Sequence, residues 1–269
     1  ADKNLLQIAR VRSFQGRITH LAKLRNNKFI SLGADGTSRI WSKGLNLRRI
    51  KAIPSNQGHV WSLIALRNGD YLTGGEDGTL RRWTGNRPTT SYHYIKAGKE
   101  KITAITELLN GDLITGTSSG VVRWWRNGRL LQDSLVSPTP TGKWIDEIVE
   151  GGNSNIFIST LSGSLSIWSL NKELKRLSNY EKTLNGVASM TRLVSGNVIL
   201  AGSNSRMLNC NGHYSCSLHQ TARNYNSPLR MIELSNRDLV RSDWGGLELF
   251  PRGQLDQKAS ILASGMGQA

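Results

Sequence analysis

Residues 116–120 read Gly-Thr-Ser-Ser-Gly and match the G-x-S-x-G pattern that presents the nucleophilic serine of many hydrolases. That chemistry needs a sharp strand-to-helix turn, together with a histidine and an acid that activate the serine. The motif is in register with residues 74–78 of a repeated segment, where a turn between two strands is expected. We therefore interpret it as a turn, and it does not indicate a hydrolase.

The two cysteines, Cys210 and Cys216, have His213 and His219 close by in the sequence. This set could supply metal ligands, but such spacing across a hairpin does not favour the tetrahedral arrangement that zinc requires. The cysteines could also form one disulfide. We instead expect reduced thiols in an intracellular, cytoplasmic protein, with no metal and no cofactor.

The acidic residues Asp146, Glu147 and Glu150 are the densest carboxylate cluster before the fourth repeat. Neighbouring residues on a strand point to opposite faces, so these carboxylates would not converge as an acid–base pair. We expect them to lie on a solvated loop.

Positive charge is a more informative feature of the sequence. The formal net charge is +16, and residues 1–57 hold twelve Lys and Arg against two Asp and Glu. Such asymmetry is typical of a protein that meets an acidic partner, which could be a nucleic acid, an anionic membrane surface or an acidic protein. It is equally typical of a surface that is merely well solvated.

Several basic residues recur at fixed places. Arg39, Arg81 and Arg123 share one position of the repeat described below, whereas Arg82 falls where the other repeats are mostly apolar and needs a carboxylate partner or an exposed head group. Other cations lie on an expected outer strand or beside Tyr92 and Tyr94, and basic residues interleaved with aromatics suit single-stranded nucleic acid. The candidate partner-binding residues are Arg48, Arg49, Lys51, Arg81, Arg82, Lys96, Lys99, Lys101, Arg123 and Arg126.

These residues must be positioned by a repeat that runs through most of the chain. Residues 58–83 align with residues 16–41, and four further copies follow. The copies close on Trp41, Trp83, Trp125, Trp168, Cys210 and Phe250, at separations of 42, 42, 43, 42 and 40 residues. Each copy contains three alternating apolar segments and is followed by a fourth. Four short strands in about 42 residues predict one blade of a β-propeller.

The repeat resembles that of the WD-repeat family. Asp35-Gly36 and Asp77-Gly78 match the family's turn between the second and third strands, and Gly58-His59 matches the dipeptide that opens its repeat. The resemblance implies a buried hydrogen-bond network of His59, Thr73, Asp77 and Trp83 in the second blade. The sequence departs from the family pattern because no closing Trp is followed by Asp, and the Asp-Gly turn is lost in later repeats.

The number of blades follows from the number of repeats. Residues 1–262 are expected to form one all-β propeller of six four-stranded antiparallel blades, and residues 263–269 a disordered tail. The segments LLQIARV, near the start, and QLDQKASIL, near the end, could each supply an outer strand to the last blade. A seven-blade ring completed by a segment of a longer parent chain is the alternative.

The pattern favours binding over catalysis, because no constellation of residues supports an enzyme. The first hypothesis is a scaffold that recruits a protein partner through propeller loops or a basic rim, and the charge of this chain favours an acidic partner. The second is a module that binds DNA or RNA, or a subunit of a nucleoprotein complex, that uses the basic N-terminal sector. No apolar segment approaches the roughly 18 residues needed for a membrane-spanning helix.

Overall fold

Six four-stranded antiparallel sheets, the blades of a β-propeller, make up the computed structural model of the protein. The structure describes residues 15–24, 28–42, 48–84, 92–136, 144–180, 184, 187–202, 206–211, 215–220, 230–243, 246–253, 255 and 260–264. Within every sheet the strands are hydrogen-bonded in chain order, so each blade is one contiguous meander. This confirms the all-β, six-blade fold expected from the repeats.

One compact unit, Gln7–Asp133, contains the first three blades. Blade 1 contains β1 (Ile18–Lys23), β2 (Lys28–Gly33), β3 (Thr37–Ser42) and β4 (Arg48–Pro54). Blade 2 contains β5 (Val60–Ala65), β6 (Tyr71–Gly75), β7 (Thr79–Trp83) and β8 (Tyr92–Lys96). Blade 3 contains β9 (Ile102–Glu107), β10 (Leu113–Thr117), β11 (Val121–Arg126) and β12 (Arg129–Leu135).

The other compact unit, Ala1–Leu6 with Ser134–Ala269, contains the last three blades. Blade 4 contains β13 (Ile145–Glu150), β14 (Asn155–Thr160), β15 (Leu165–Ser169) and β16 (Lys175–Tyr180). Blade 5 contains β17 (Val187–Arg192), β18 (Val198–Gly202), β19 (Arg206–Cys210) and β20 (Cys216–Gln220). Blade 6 contains β21 (Arg230–Glu233), β22 (Leu239–Asp243), β23 (Gly246–Phe250) and β24 (Ser260–Ser264), with a 3₁₀ turn at Pro251–Gly253.

The Asp-Gly turns recognised in the sequence connect the second and third strands of blades 1 and 2. Asp77 Oδ1 accepts hydrogen bonds from the backbone N–H and the hydroxyl of Thr79, at 2.9 and 2.8 Å, and Asp35 does the same for Thr37. Gly78 has a φ of 73°, in the left-handed region that glycine adopts without strain. A side chain at this position would also meet the Gly98 carbonyl, because its Cβ would lie 2.5 Å from that oxygen.

A closing tryptophan in each of the first four blades makes a hydrogen bond within its own blade. Each indole is almost fully buried, and its Nε1–H donates to a serine or threonine hydroxyl of the same blade. The pairs are Trp41 with Ser31 (2.8 Å), Trp83 with Thr73 (2.9 Å), Trp125 with Thr115 (3.0 Å) and Trp168 with Ser166 (2.9 Å). The repeating tryptophan is therefore a structural residue, since its polar atom is satisfied and its ring packs into the core.

Blade 5 replaces this tryptophan with Cys210, which forms a disulfide with Cys216. The expectation of reduced thiols was wrong. The two cysteines lie directly opposite each other on β19 and β20, with Cα atoms 4.0 Å apart, because the six-residue spacing spans a hairpin in register. The expectation of an intracellular protein loses the support that the thiols gave it.

Blade 6 replaces the tryptophan with Phe250 and contains a buried ion pair. Arg241 on β22 lies opposite Glu248 on β23, and Arg241 Nη2 is 2.5 Å from Glu248 Oε2. The two side chains are only 2% and 8% exposed. The Arg241 guanidinium also lies 5.8 Å from the centre of the Phe250 ring, so the charge contacts both a carboxylate and an aromatic face.

The C-terminal segment supplies the outer strand of blade 6. This was one of the two possibilities that the sequence offered for that strand. That strand, β24, pairs with β23 and reaches Ser264, so residues 263 and 264 belong to the sheet rather than to the expected tail. The N-terminal segment LLQIARV and residues 265–269 lie outside the described residues.

Hydrophobic clusters lie between successive blades of each unit. One cluster joins Ile30 and Ile40 of blade 1 to Leu63 and Trp83 of blade 2. The next joins Leu72 and Leu80 of blade 2 to residues of blade 3, and two equivalent clusters lie in the other unit. Because each blade buries its apolar face against its neighbour, the connections at the strand ends can vary without loss of the core.

Candidate functional site

Two of the candidate arginines are structural. Arg81 and Arg123 are each 8% exposed. Arg81 Nη2 lies 3.2 Å from Asp77 Oδ2 and donates to the Asn56 carbonyl at 2.7 Å, whereas Arg123 Nη2 lies 3.2 Å from Glu100 Oε2. These arginines therefore stabilise the turns and connections that they contact, and little of either side chain is accessible to a partner.

Arg82 and Arg126 are more exposed, and each has a carboxylate partner. Arg82 Nη2 lies 2.8 Å from Asp70 Oδ2, and Arg126 Nη2 lies 2.9 Å from Asp112 Oδ2. Burial by itself would raise the pKa of Asp112, but hydrogen bonds from Arg126 and Trp124 outweigh it and hold that pKa below its usual value. The charge at position 82 thus has the kind of partner that its unusual place in the repeat requires.

The rest of the predicted basic surface divides into two groups. Lys96 and Lys99 are exposed at the end of β8 and in the connection after it. Arg48, Arg49 and Lys51 lie on β4, the outer strand of blade 1, as expected, but their side chains lie outside the described part of the structure. The side chains of Tyr92 and Tyr94 on β8 lie outside it as well.

One end of blade 2 gathers two aromatic and two charged side chains, His59, Trp61, Glu76 and Lys101, which we name the Trp61 cluster. The His59 and Trp61 rings lie 4.3 Å apart, and Lys101 Nζ is 5.3 Å from the centre of the Trp61 ring. Lys101 Nζ also lies 2.6 Å from Glu76 Oε1. Both rings are partly exposed, so aromatic surface bordered by an ion pair reaches the solvent.

The turns at this end of the blade bring the Trp61 cluster together. His59 and Trp61 lie where β5 begins, Glu76 lies in the β6–β7 turn, and Lys101 directly precedes β9. Gly58 has a φ of 67°, and a Cβ there would lie 3.4 Å from the Glu76 side chain. The Lys101 hydrogen bond, and then the hydrogen bond from the His59 backbone N–H, lower the pKa of Glu76, so this carboxylate stays charged.

The buried network of blade 2 lacks His59 and contains two residues that were not expected, Gln57 and Thr79. Trp83 donates to Thr73, Thr73 Oγ1 donates to Gln57 Oε1 at 2.5 Å, and Gln57 Nε2 donates to Thr79 Oγ1 at 3.1 Å. Thr79 in turn donates to Asp77. Gln57 therefore belongs to the network in which His59 was expected, because its amide both donates and accepts, while the His59 ring lies against Trp61.

A signal for this glutamine was present in the sequence. Gln15 lies 42 residues before Gln57, which is the spacing of Trp41 and Trp83. In blade 1 it has the same contacts, since Ser31 Oγ donates to Gln15 Oε1 at 2.6 Å and Gln15 Nε2 lies 3.3 Å from Thr37 Oγ1. Polar residues that repeat at the blade period mark the network more reliably than the family dipeptide does.

Asp146, Glu147 and Glu150 lie on strand β13, not on the solvated loop that we expected. They are partly buried, and the Glu147 carboxylate accepts a hydrogen bond from the Met190 backbone N–H of blade 5 at 2.5 Å. Burial raises the pKa of Asp146, and burial raises the pKa of Glu147 to about 7, in both cases against the attraction of Arg230. Glu147 therefore joins two neighbouring strands and can hold a proton near neutral pH.

Glu147→Gln is expected to make the protein less sensitive to rising pH. The folded protein retains the Glu147 proton up to about pH 7, whereas an ordinary Glu releases it near 4.5. The proton therefore contributes stability that is fully present below about pH 4.5 and lost as the pH rises through 7. At about pH 8 the variant should exceed the wild type by roughly 1–3 kcal/mol in free energy of unfolding.

Urea unfolding at about pH 5 and about pH 8 measures this difference. Glu150→Gln, at the other end of β13, is the matched control and should keep the wild-type dependence. If the wild type and Glu147→Gln lost stability equally between the two pH values, Glu147 would not be the group that titrates.

The Gly-Thr-Ser-Ser-Gly segment forms the turn between β10 and β11. Thr117 Oγ1 lies 3.0 Å from Ser119 Oγ and accepts from the Val121 backbone N–H at 3.1 Å. This segment joins two strands of one sheet, so the strand-to-helix elbow of a hydrolase is not formed here. Among the described residues, no group of three or more His, Cys, Asp or Glu could hold a metal ion.

The fold is similar to that of solved β-propellers. A streptogramin B lyase superposes with a TM-score of 0.74 at 12% identity, covering 93% of this chain and 84% of the lyase. A catalytically inactive virginiamycin B lyase from Staphylococcus aureus, in a structure with quinupristin, gives a TM-score of 0.77 at 9% identity over 95% and 88% of the two chains. The computationally designed Ika8 protein gives 0.71 at 17% over 94% and 76%. At these identities the similarity shows the fold alone.

No curated protein shows significant sequence similarity to the chain. Over the described residues, none of the helical structure is long and apolar enough to cross a membrane. The WD40 family model, described as "WD domain, G-beta repeat", matches residues 50–84, which run from β4 through β7. Residues 50–84 are therefore similar to a WD repeat, and they lie in a six-blade β-propeller.

Proposed function

We propose that this protein is a non-catalytic interaction scaffold that binds an acidic protein partner at the Trp61 cluster. The observation that carries the proposal is the partly exposed His59–Trp61 pair at one end of blade 2, whose rings are in contact at an angle of 56°, with Lys101 over the Trp61 ring. Propellers that contain WD repeats generally serve as protein-interaction scaffolds. Their blades present variable connections on a fixed core, which suits recruitment.

The Trp61 cluster has the composition of a binding hot spot. Tryptophan is enriched among the residues that dominate interface energetics, and polar groups around it exclude water when a partner covers them. The Lys101–Glu76 ion pair provides such a border at 2.6 Å. The turns hold these side chains in place before binding, so a partner meets a site that needs little further ordering.

The pairing of the arginines favours a protein over a nucleic acid. Arg81, Arg82, Arg123 and Arg126 each lie within 3.2 Å of a carboxylate oxygen, and Lys101 pairs with Glu76. Phosphate binding would have to compete with these carboxylates for half of the candidate cations. The net charge of +16 still attracts acidic surfaces over longer range, which raises the rate of encounter with an acidic protein.

A non-catalytic role agrees with the geometry of the described carboxylates. Glu147 accepts a backbone hydrogen bond from Met190, and Asp112, Asp70 and Glu248 pair with arginines. These carboxylates support the fold. The lyases with similar structures are 9–12% identical, so their activity does not carry over to this chain.

The test is affinity purification of partners with the wild type, Trp61→Ala and Trp144→Ala. Trp144 is partly exposed beside β13 in another blade, so its variant is a matched control for loss of an indole. An acidic protein should be retained by the wild type and by Trp144→Ala, and its affinity for Trp61→Ala should fall at least tenfold, since a hot-spot residue contributes about 2 kcal/mol or more.

Titration of the protein with labelled DNA and RNA at two salt concentrations tests the alternative, a nucleic-acid-binding function. Several phosphate contacts would make affinity fall steeply with salt, and replacement of Arg48, Arg49 and Lys51 by Glu would then abolish binding. Tight, salt-dependent nucleic-acid binding that Trp61→Ala leaves unchanged would contradict the scaffold proposal and favour the basic rim.

A further inference from the structure

A cavity of about 510 Å³ lies between blades 2 and 3, at the opposite end of the blades from the Trp61 cluster. It is bordered by the β5–β6, β9–β10 and β11–β12 turns. Leu72, Leu80 and Leu113 form an apolar wall, while Arg82, Glu107 and Asn127 contribute polar groups. This volume is within the range of small-molecule sites.

The cavity coincides with a departure from the repeat. Four of the other five blades place a large apolar side chain where blade 2 has Arg82, and each is nearly fully buried: Ile40 (1% exposed), Trp124 (7%), Ile167 (0%) and Leu249 (5%). Arg82 instead has a side chain that is 49% exposed and turned to Asp70. Blade 2 therefore has a polar, half-exposed side chain at the border of the cavity, where the repeat normally has a buried apolar one.

Blade 3 shows what complements such a site. Asp112, 42 residues after Asp70, accepts a hydrogen bond from Trp124 Nε1 at 2.9 Å and pairs with Arg126. The Arg126 guanidinium lies 5.7 Å from the centre of the Trp124 ring. Carboxylate, guanidinium and aromatic ring thus form one unit in blade 3. Blade 2 has the carboxylate of Asp70 and the guanidinium of Arg82. It has no aromatic ring at the position of Trp124, because that position is occupied by Arg82 itself.

We infer that this cavity binds a small planar aromatic molecule, whose ring stacks on the Arg82 guanidinium. Arg82 Nε and Nη2 lie 2.9 and 2.8 Å from Asp70 Oδ2, so the carboxylate holds the guanidinium by its edge and leaves its faces for stacking. The leucine wall takes the hydrophobic edge of the ring. Glu107, whose Oε2 accepts the Arg67 backbone N–H at 2.8 Å, offers its other oxygen to a polar substituent.

The test is an NMR titration of the full chain with naphthol and with its saturated counterpart, decahydronaphthol. Naphthol should give saturable shifts at Leu72, Leu80 and Leu113, and the puckered alcohol should bind at least tenfold more weakly because it cannot stack. Arg82→Lys keeps the charge and loses the plane, so it should weaken naphthol binding by roughly three- to thirtyfold.

Two variants fill the cavity from opposite blades. Arg82→Trp supplies the ring that blade 3 has, and Leu113→Phe enlarges the wall of blade 3, so both should abolish naphthol binding while the spectrum stays that of a folded protein. Leu130→Phe, at an exposed position on β12, is the matched control and should bind as the wild type does.

Absence of saturable naphthol binding in the wild type would overturn the inference. So would naphthol binding that survives in both filling variants, or equal affinity for the two alcohols. The Trp61 cluster lies at the other end of the blades, so none of these results bears on the proposed scaffold function.

Discussion

Replacing Glu248 with alanine is expected to lower the free energy of unfolding by about 3–5 kcal/mol. Glu248 and Arg241 pair at 2.5 Å with side chains 8% and 2% exposed. Removal of the carboxylate leaves the guanidinium buried and still charged, because arginine does not lose its proton at accessible pH. Phe250, 5.8 Å away, compensates only a small part of this cost. Urea unfolding at neutral pH measures the effect.

The double variant Arg241→Met with Glu248→Leu is the control for that result. It removes both charges and keeps similar side-chain volume, so its stability should equal or exceed that of the wild type. A double variant as unstable as Glu248→Ala would mean that lost packing, rather than an uncompensated charge, explains the single variant. A loss below about 1 kcal/mol for Glu248→Ala would contradict the burial of the pair.

The fold could be predicted from the sequence because the residues that define the repeat act within a single blade. Trp83 closes a blade and Gly78 permits its turn, and both recur at the blade period in other repeats. The strands needed no further information, since alternation of apolar residues already indicates which face is buried. The family dipeptide was a poorer guide, because Gln57 can make the same two hydrogen bonds as a histidine and took its place.

The contacts of blades 5 and 6 were harder to predict because each of these blades contains a side-chain pair that forms only when two strands are in register. A cysteine at position 210 indicates a disulfide only if position 216 lies opposite it, which depends on the register of the hairpin. Arg241 and Glu248 likewise have ordinary spacing in the sequence, and only the pairing of β22 with β23 brings them together inside the sheet.

The candidate site was predicted only in part, for an electrostatic reason. Net charge gives the excess of cations over anions, but it does not say which of the cations are paired within the fold. Arg81 and Arg123 were grouped correctly by repeat position, yet the same repeat supplies Asp77 and Glu100 as their partners. Trp61 was missed because it stands at the start of a strand, where the pattern alone indicates a core residue.

Trp83→Ala is expected to destabilise the protein by about 3–5 kcal/mol, as truncation of a buried aromatic side chain does elsewhere. The Trp83 side chain is in the core between blades 1 and 2, in a residue that is 2% exposed, and its ring lies parallel to that of Tyr71 at 5.9 Å. The substitution opens a cavity there and also removes the Nε1 hydrogen bond to Thr73, at the head of the chain that continues through Gln57.

Two further variants separate these contributions in the same urea experiment. Trp83→Phe retains most of the ring volume and loses the N–H donor, so it should cost about 1–2 kcal/mol, the value of one lost buried hydrogen bond with a modest loss of packing. Trp61→Ala removes an indole from the partly exposed end of the same blade and should cost less than about 1 kcal/mol. If Trp83→Ala were no more destabilising than Trp61→Ala, Trp83 would not close the blade, and the repeat would be out of register. A cost for Trp83→Phe equal to that of Trp83→Ala would instead assign the whole effect to the hydrogen-bond chain.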